Sequence, residues 1–278
     1  MQEIAPDVFL ELRNRGCNNV VIRTADGLVV VDSAMRPSDA VAWRRQLDEL
    51  GETRYVVHTD HHPDHVIGNW WLSGTVVAHA GTRERLRDFT SPPAWLERFD
   101  PDGIALMRGW HVRLPEITFD ERLTLHVGGV TVELIHMPGH TLNTAVVHLP
   151  EHGVTITGDH VCNGGLPGLH DSSIAATLAT LDAIQALGAQ VIVPGHGDVG
   201  DAALIARTRA ELTALVDAVR TATAAGESRD EIVGRIRFED NFHGSVDGDA
   251  GYPPEMVEEW QRLSIGTVYD QLAAAPGS

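Results

Sequence analysis

Between His58 and His65 the chain reads HTDHHPDH, four histidines and two aspartates in eight residues, directly after the apolar run Tyr55 to Val57. Imidazole and carboxylate are ligands that suit zinc, iron and manganese, so metal-assisted chemistry is the first reading of such a cluster. Asp60, His62, Asp64 and His65 are the side chains selected. A strand end entering a tight loop aims alternate residues at one point, which turns His61 away where His62 faces inward. A rival arrangement puts His61 or His58 in place of Asp60; otherwise His58 reads as a supporting residue. Asp64 and His65, being adjacent, are expected to point in different directions.

Three further candidates stand at the ends of later apolar runs: His140 after MPG, Asp159 after TG and His196 after VPG. Pro-Gly forces a turn before each histidine, and the glycine is expected to leave room for close approach to an ion. Taken singly, each is the kind of residue that also fills ordinary turns and surfaces. In this order, at successive strand ends, they form a ligand set.

The elements that must position these residues alternate. VVIRT and LVVVDS flank Ala25-Asp26-Gly27, a hairpin signal. A helix capped by Ser38 runs to Leu50 and stops at Gly51. A strand 55–57 leads into the cluster, TVVAH (75–79) is another strand, and Thr82 to Phe89 a short charged helix. Strands resume with LTLHV, VTVELIHM, TAVVHLP and VTITGD. A helix from Ser172 to Leu187 precedes VIVPGHGD, and a helical tail begins near Asp201, interrupted by a Gly- and Asp-rich loop at 240–254. This pattern supports a layered α/β or α+β fold. Residues 90–115, irregular and carrying Trp95, Phe99, Met107 and Trp110, are the candidate substrate lid. With Trp70, Trp71 and His160 these residues are the candidate pocket lining. For His160, solvent is the favoured surrounding.

The motif order resembles the metallo-β-lactamase superfamily, whose pattern is His-x-His-x-Asp-His, then His after Pro-Gly, a bridging Asp and a last His. The resemblance runs from about Ile4 to Gly200 and implies a four-layer αββα sandwich over 1–200, with 201–278 as a helical extension packed on the same domain. It implies two divalent ions, zinc first and manganese or iron as alternatives. Asp60, His62 and His140 would hold one ion, and Asp64, His65 and His196 the other. Asp159 would bridge, and a bridging hydroxide would attack the substrate, with Asp64 also relaying a proton. Asp32, at the end of LVVVD, would support the loop by hydrogen bonding.

Position 60 departs from the family, which has histidine there. Asp60, Asp64, Asp159 and a hydroxide set four negative charges against the four positive charges of two divalent ions, where the usual set has one fewer. A neutral cluster polarises a carbonyl less and favours a neutral substrate, and the extra hard oxygen moves preference from zinc toward manganese or iron. The expected activity is hydrolysis of a small, partly apolar ester, lactone, thioester or amide. Iron-dependent redox chemistry and a degenerate, non-catalytic binding protein are the alternatives.

Composition narrows the partners. The chain has 278 residues, 21 basic and 39 acidic, for a net charge of −18. That field repels nucleic acid and anionic membranes, leaving a small molecule as the partner. The tail stripe Met256, Trp260, Leu263 and Val268 reads first as core packing and second as a homodimer contact. Cys17 and Cys162 read as free thiols. The amino terminus has no signal-like pattern and no run spans a membrane, so the location reads as cytoplasmic.

Overall fold

The computed structural model describes residues 1–240 and 252–274, so most of the Gly- and Asp-rich loop at 240–254 lies outside the described residues. The chain divides into two compact units, Met1–Met137 with Asn143–Gly158, and Pro138–Leu142 with Asp159–Ser278. These divisions fall inside the stretch 1–200 read as one domain. No helix among the described residues is long and apolar enough to cross a membrane.

In the first unit, β1 (Gln2–Ala5), β2 (Val8–Glu11), β3 (Asn19–Thr24), β4 (Gly27–Val31), β5 (Thr53–Val57), β6 (Thr75–His79) and β7 (Ile117–Phe119) form one sheet in chain order. β1 to β4 are antiparallel, and the Thr24↔Gly27 register confirms the hairpin around Ala25 and Asp26. From β4 to β7 the strands are parallel. Parallel neighbours need crossovers. These are α1 (Pro37–Leu50), then α2 (Pro63–Val66) with a 3-10 turn Ile67–Trp71, then α3 (Ala80–Arg87) and α4 (Leu96–Phe99). The parallel strands therefore deliver Asp32, His58 and His79 to one sheet edge, the edge where open α/β sheets carry their ligands.

Every residue from Leu28 to Val31 is buried. Leu28 and Val30 pack with Val21, Val56 and Val76 against Trp43 and Leu47 of α1. Val29 and Val31, on the opposite face by strand alternation, are buried as well. A second, antiparallel set of strands follows. It comprises β8 (Arg122–Val127), β9 (Val130–His136), β10 (Ala145–Leu149) and β11 (Val154–Ile156), in the order β11-β10-β9-β8. It is tied to the first sheet at both ends, by Ala25 N donating to Gly128 O (3.3 Å) and Ala145 N to Thr59 O (2.7 Å). Cover on both faces is why β4 reads as an unbroken apolar run rather than an alternation.

α1 differs from expectation at its start. Ser38 is not the cap: Arg36 occupies that position without a side-chain bond, and Pro37 is the first helical residue. The orphan N–H of Ser38 is bonded instead by Asp100 Oδ2 at 2.8 Å, from the irregular 90–115 segment. Asp100 Oδ1 also accepts from Gly103 N at 3.0 Å. The same segment is fastened by Trp110 Nε1 donating to Ile67 O (3.0 Å) and an Arg113 guanidinium N–H donating to Leu72 O (2.6 Å). Expected as a lid, it is clamped to the sheet's helices at several points.

The second unit holds α5 (Ile174–Ala186), β12 (Val191–Val193), α6 (Ala202–Ala224), α7 (Arg229–Arg235) and α8 (Pro254–Ala274). Its core joins Ile174, Leu212, Val219, Ile232, Ile265 and Val268. As core packing, the expected tail stripe is corrected here. Of Met256, Trp260, Leu263 and Val268 only Val268 is buried, and Leu263 is 48% exposed. The inward face is Val257, Gln261, Ser264, Ile265 and Val268. Two of those are polar because they have partners: Gln261 Nε2 donates to Phe238 O (2.8 Å), and Ser264 Oγ accepts from Leu169 N (2.8 Å). An apolar pattern alone places the face one position off.

Replacing Asp100 by alanine leaves the Ser38 N–H without its acceptor, while Gly103 N keeps the backbone carbonyl of residue 100 at 3.1 Å. Asp100→Ala is expected to lower stability by about 1–3 kcal/mol, seen as a lower urea midpoint at unchanged slope. An unchanged midpoint would show that the clamp contributes nothing.

Candidate metal centre

The loop after β5 is held from beneath by one carboxylate. Asp32, buried and in the left-handed region (φ 59°), follows β4. Its Oδ1 accepts from Thr59 N (2.9 Å), and its Oδ2 from Thr59 Oγ1 (2.7 Å) and His65 Nδ1 (2.9 Å). With the proton of His65 on Nδ1, Nε2 turns its lone pair the other way, as a metal ligand requires. The backbone is fixed as well: His65 O accepts from Ser33 N (2.9 Å) and Ser33 Oγ (2.8 Å).

His62 ends the loop as the residue before α2, whose first position is Pro63. Asp60 is fully buried. Its carboxylate accepts from His62 N (2.9 Å) and meets His62 Nδ1 at 3.1 Å. Asp64 and His65 do not diverge as expected. Asp64 Oδ2 lies 3.8 Å from His65 Nε2, because in a single helical turn, unlike a strand, neighbouring side chains can bend toward one point. Gly16 makes this fit possible: a Cβ there would come within 2.8 Å of Met35 Cβ and 3.1 Å of Asp64 Cβ. His61 is turned aside, as expected, toward Asn143 at 3.1 Å.

Cys17 lies under the same loop, its thiol donating to Asp64 O at 3.3 Å. Cys17, Asp32 and His65 approach closely enough to hold an ion. The chemistry favours a hydrogen-bonded cluster instead, because burial pushes the thiol far up and His65 Nδ1 is committed to Asp32. Burial alone would raise the Asp32 carboxyl, but the His65 and His58 imidazoles hold it below its ordinary range. Burial alone would lower His65, but the acidic groups Cys17, Asp60, Asp64 and Asp32 hold it well above its ordinary 6.5.

The second unit carries the other three candidates. Asp159 lies in a 3-10 turn, Gly158–His160. Its Oδ2 is 3.7 Å from His140 Nε2 and 3.3 Å from His196 Nε2. Four donors around a zinc ion at about 2.0–2.1 Å stand roughly 3.4 Å apart. The three groups thus have the separations of ligands, with Asp159 as their common vertex. His140 is set by Ser172 Oγ donating to its carbonyl (3.0 Å). His196 is set by a bridge to Cys162 and by Asn163 N donating to its carbonyl (2.8 Å).

Two expectations are corrected in this unit. Gly139 does not make room for an ion: a Cβ there would meet Thr177 Cα at 2.8 Å and His160 Cε1 at 2.9 Å. His160 does not face solvent but is buried. The remaining pocket candidates lie in the first unit. Trp70, Trp71, Trp95, Phe99 and Met107 pack around buried Trp110 as a satellite core. Trp95 meets Phe99 edge-on at 5.7 Å, and the Arg15 guanidinium lies 4.5 Å above the Phe99 ring. Trp70 and Trp71 end the 3-10 turn Ile67–Trp71. Sequence reading missed Thr59, Ser33 and Asn69, polar residues whose partners are remote in the chain.

A family model described as the metallo-beta-lactamase superfamily matches residues 12–196, two thirds of the chain and all seven candidate ligands. The chain belongs to the metallo-beta-lactamase superfamily. A linear primary-alkylsulfatase from Pseudomonas sp. is 22% identical over 295 residues, 90% of this chain and 54% of that protein. A metallo-beta-lactamase type 2 from Bacteroides fragilis is 29% identical over 102 residues, 34% of this chain and 41% of that one. The chain thus spans about half, or less, of these curated relatives. Among solved structures, a metallo-beta-lactamase family protein from Thermus thermophilus matches with TM-score 0.67 and 19% identity, covering 99% of this chain and 96% of that one. That likeness establishes the fold, an α/β sandwich of the superfamily type with a helical carboxy-terminal part.

His65 supplies a test through proton linkage. A ring whose folded pKa stands well above 6.5 holds an extra proton at pH 7, and a metal ion must displace it. The competing proton is lost as pH rises through the folded pKa, so affinity should climb with pH above 6.5. Zinc titrated into weakly buffered metal-free protein at pH 7 should release at least about one proton per chain. Binding without proton release, at a pH-independent affinity, would show that His65 is no ligand.

Proposed function

We propose that this superfamily member is a two-metal hydrolase of small, uncharged, partly apolar carboxylic esters, lactones, thioesters or amides. The observation that carries the reading is Asp60: the family's first histidine is replaced by a fully buried carboxylate, bonded to His62, which supports a place among the ligands over a surface substitution. By family correspondence Asp60, His62 and His140 would hold one divalent ion and Asp64, His65 and His196 the other, with Asp159 shared. Zinc is the first candidate, and manganese or iron gain from the added carboxylate. When bound, the ions would supply Lewis acidity toward the substrate carbonyl and an activated water.

The chain's own residues do the rest. Asp32 orients His65. Asp60, an added negative charge, disfavours an anionic substrate. Asp64, its side chain 19% exposed where that of Asp60 is closed off, is the carboxylate able to pass a proton to the leaving group. Leu142, two residues after His140, is 72% exposed and supports an apolar substrate portion.

A second reading is hydrolysis of alkyl sulfates, favoured by the similarity to the alkylsulfatase over 90% of this chain. The two differ in substrate charge. Hexyl acetate and hexyl sulfate, offered to metal-loaded protein, should give turnover of the acetate only. Asp60→His should raise the kcat/KM ratio of sulfate to acetate at least tenfold, since one charge at about 5 Å and an effective dielectric of 20–40 is worth roughly 2–3 kcal/mol. Wild-type turnover of the sulfate alone would transfer the conclusion to the second reading. A ratio indifferent to Asp60→His would remove the charge argument.

A further inference from the structure

The strongest group of buried polar side chains outside the ligand set is His58 with Asn69, both fully buried at the sheet edge beside Asp32. Asn69 lies in the 3-10 turn after α2 and pairs with one distant residue in both directions. Its Oδ1 accepts from Arg113 N (2.9 Å), and its Nδ2 donates to Arg113 O (2.9 Å). This pair of bonds to backbone fixes which end of the amide is which. The second Nδ2 proton then points at His58 Nε2, 3.0 Å away. A nitrogen that accepts a hydrogen bond carries no proton, so the proton of the neutral His58 ring stands on Nδ1. That atom faces Asp32 Oδ1 at 3.6 Å, an electrostatic approach rather than a hydrogen bond, beside the bonds that the carboxylate takes from Thr59 and His65.

We infer that Asn69 and His58 are positioning residues for the metal ligand His65, and that through Arg113 they make the 90–115 segment part of the ligand support. The chain of contacts runs from the Arg113 backbone through Asn69, His58 and Asp32 to His65 Nδ1. Asn69 sets the His58 ring so that a positive N–H edge, not a lone pair, is turned toward Asp32. The carboxylate is thereby held on the side from which it bonds His65, and His65 keeps Nε2 directed at the ion. The segment expected to be a lid is, on this inference, a brace whose seating is felt at the ligands.

This rests on the two-metal reading, and the test separates the two. Nitrogen-15 spectra of the histidine rings in metal-free wild type should show His58 protonated on Nδ1. Asn69→Asp keeps an acceptor for Arg113 N but replaces the donor, so His58 should move its proton to Nε2. Zinc affinity, measured by competition with a chromophoric chelator, should fall about 10–100-fold. Ile232→Ala, which opens the core of the second unit and leaves the 90–115 segment seated, gives a comparison variant of lowered stability. It should leave both the His58 signal and the zinc affinity in place. Protonation of wild-type His58 on Nε2 would overturn the inference. So would an Asn69→Asp affinity loss no larger than that of Ile232→Ala. Failure of wild type to bind zinc would count against the two-metal reading alone, because the ring spectra of the metal-free protein still decide the placement of the proton.

Discussion

The structure turns on one buried carboxylate. Asp32 leaves β4 in a left-handed backbone conformation and collects Thr59 N, Thr59 Oγ1 and His65 Nδ1 within 3 Å. An unpaired charge in that position would be costly, and these donors offset the cost of burying it. Because two of the donors belong to the loop after β5, satisfying the carboxylate also shapes the loop. The conformation of HTDHHPDH is thus a consequence of what Asp32 needs as much as of the loop's own residues. The parallel pairing of β4 with β5 brings the two strand ends side by side, with Asp32 N bonded to Val57 O at 2.8 Å.

Around that centre, glycine and proline set the distances. Gly16 lets the loop before β3 pass against Asp64, and Gly139 lets the Pro-Gly-His turn lie against α5 and His160. In both cases the missing side chain serves protein packing, which then fixes a candidate ligand. Asp60 fits the same scheme. It is bonded within its own loop to both the backbone and the ring of His62, so the exchange of a neutral imidazole for an anion is accommodated locally while the surrounding scaffold is that of the superfamily.

Much of this was legible in the sequence because strand ends, turn residues and ligand types recur at fixed intervals. The motif order named the superfamily, the alternation of elements gave the layered fold, and the Asp-Gly turn marked its hairpin. What escaped depends on pairings between remote residues. Asp100 caps α1 from more than sixty residues away in the chain. Gln261 and Ser264 occupy the buried face of α8 because Phe238 and Leu169 meet them there. His160 is buried against a glycine that periodicity could not associate with it. The divergence expected of Asp64 and His65 assumed strand geometry where the chain makes a helical turn.

The central claim is that this scaffold holds two metal ions with Asp60 among the ligands. Elemental analysis of protein purified without added metal or chelator tests it most directly. About two equivalents of zinc or manganese per chain, one of them weakened when Asp60 is changed to alanine, is the predicted result. One equivalent or less that reconstitution does not raise would contradict the claim, and iron as the dominant metal would move the redox alternative ahead.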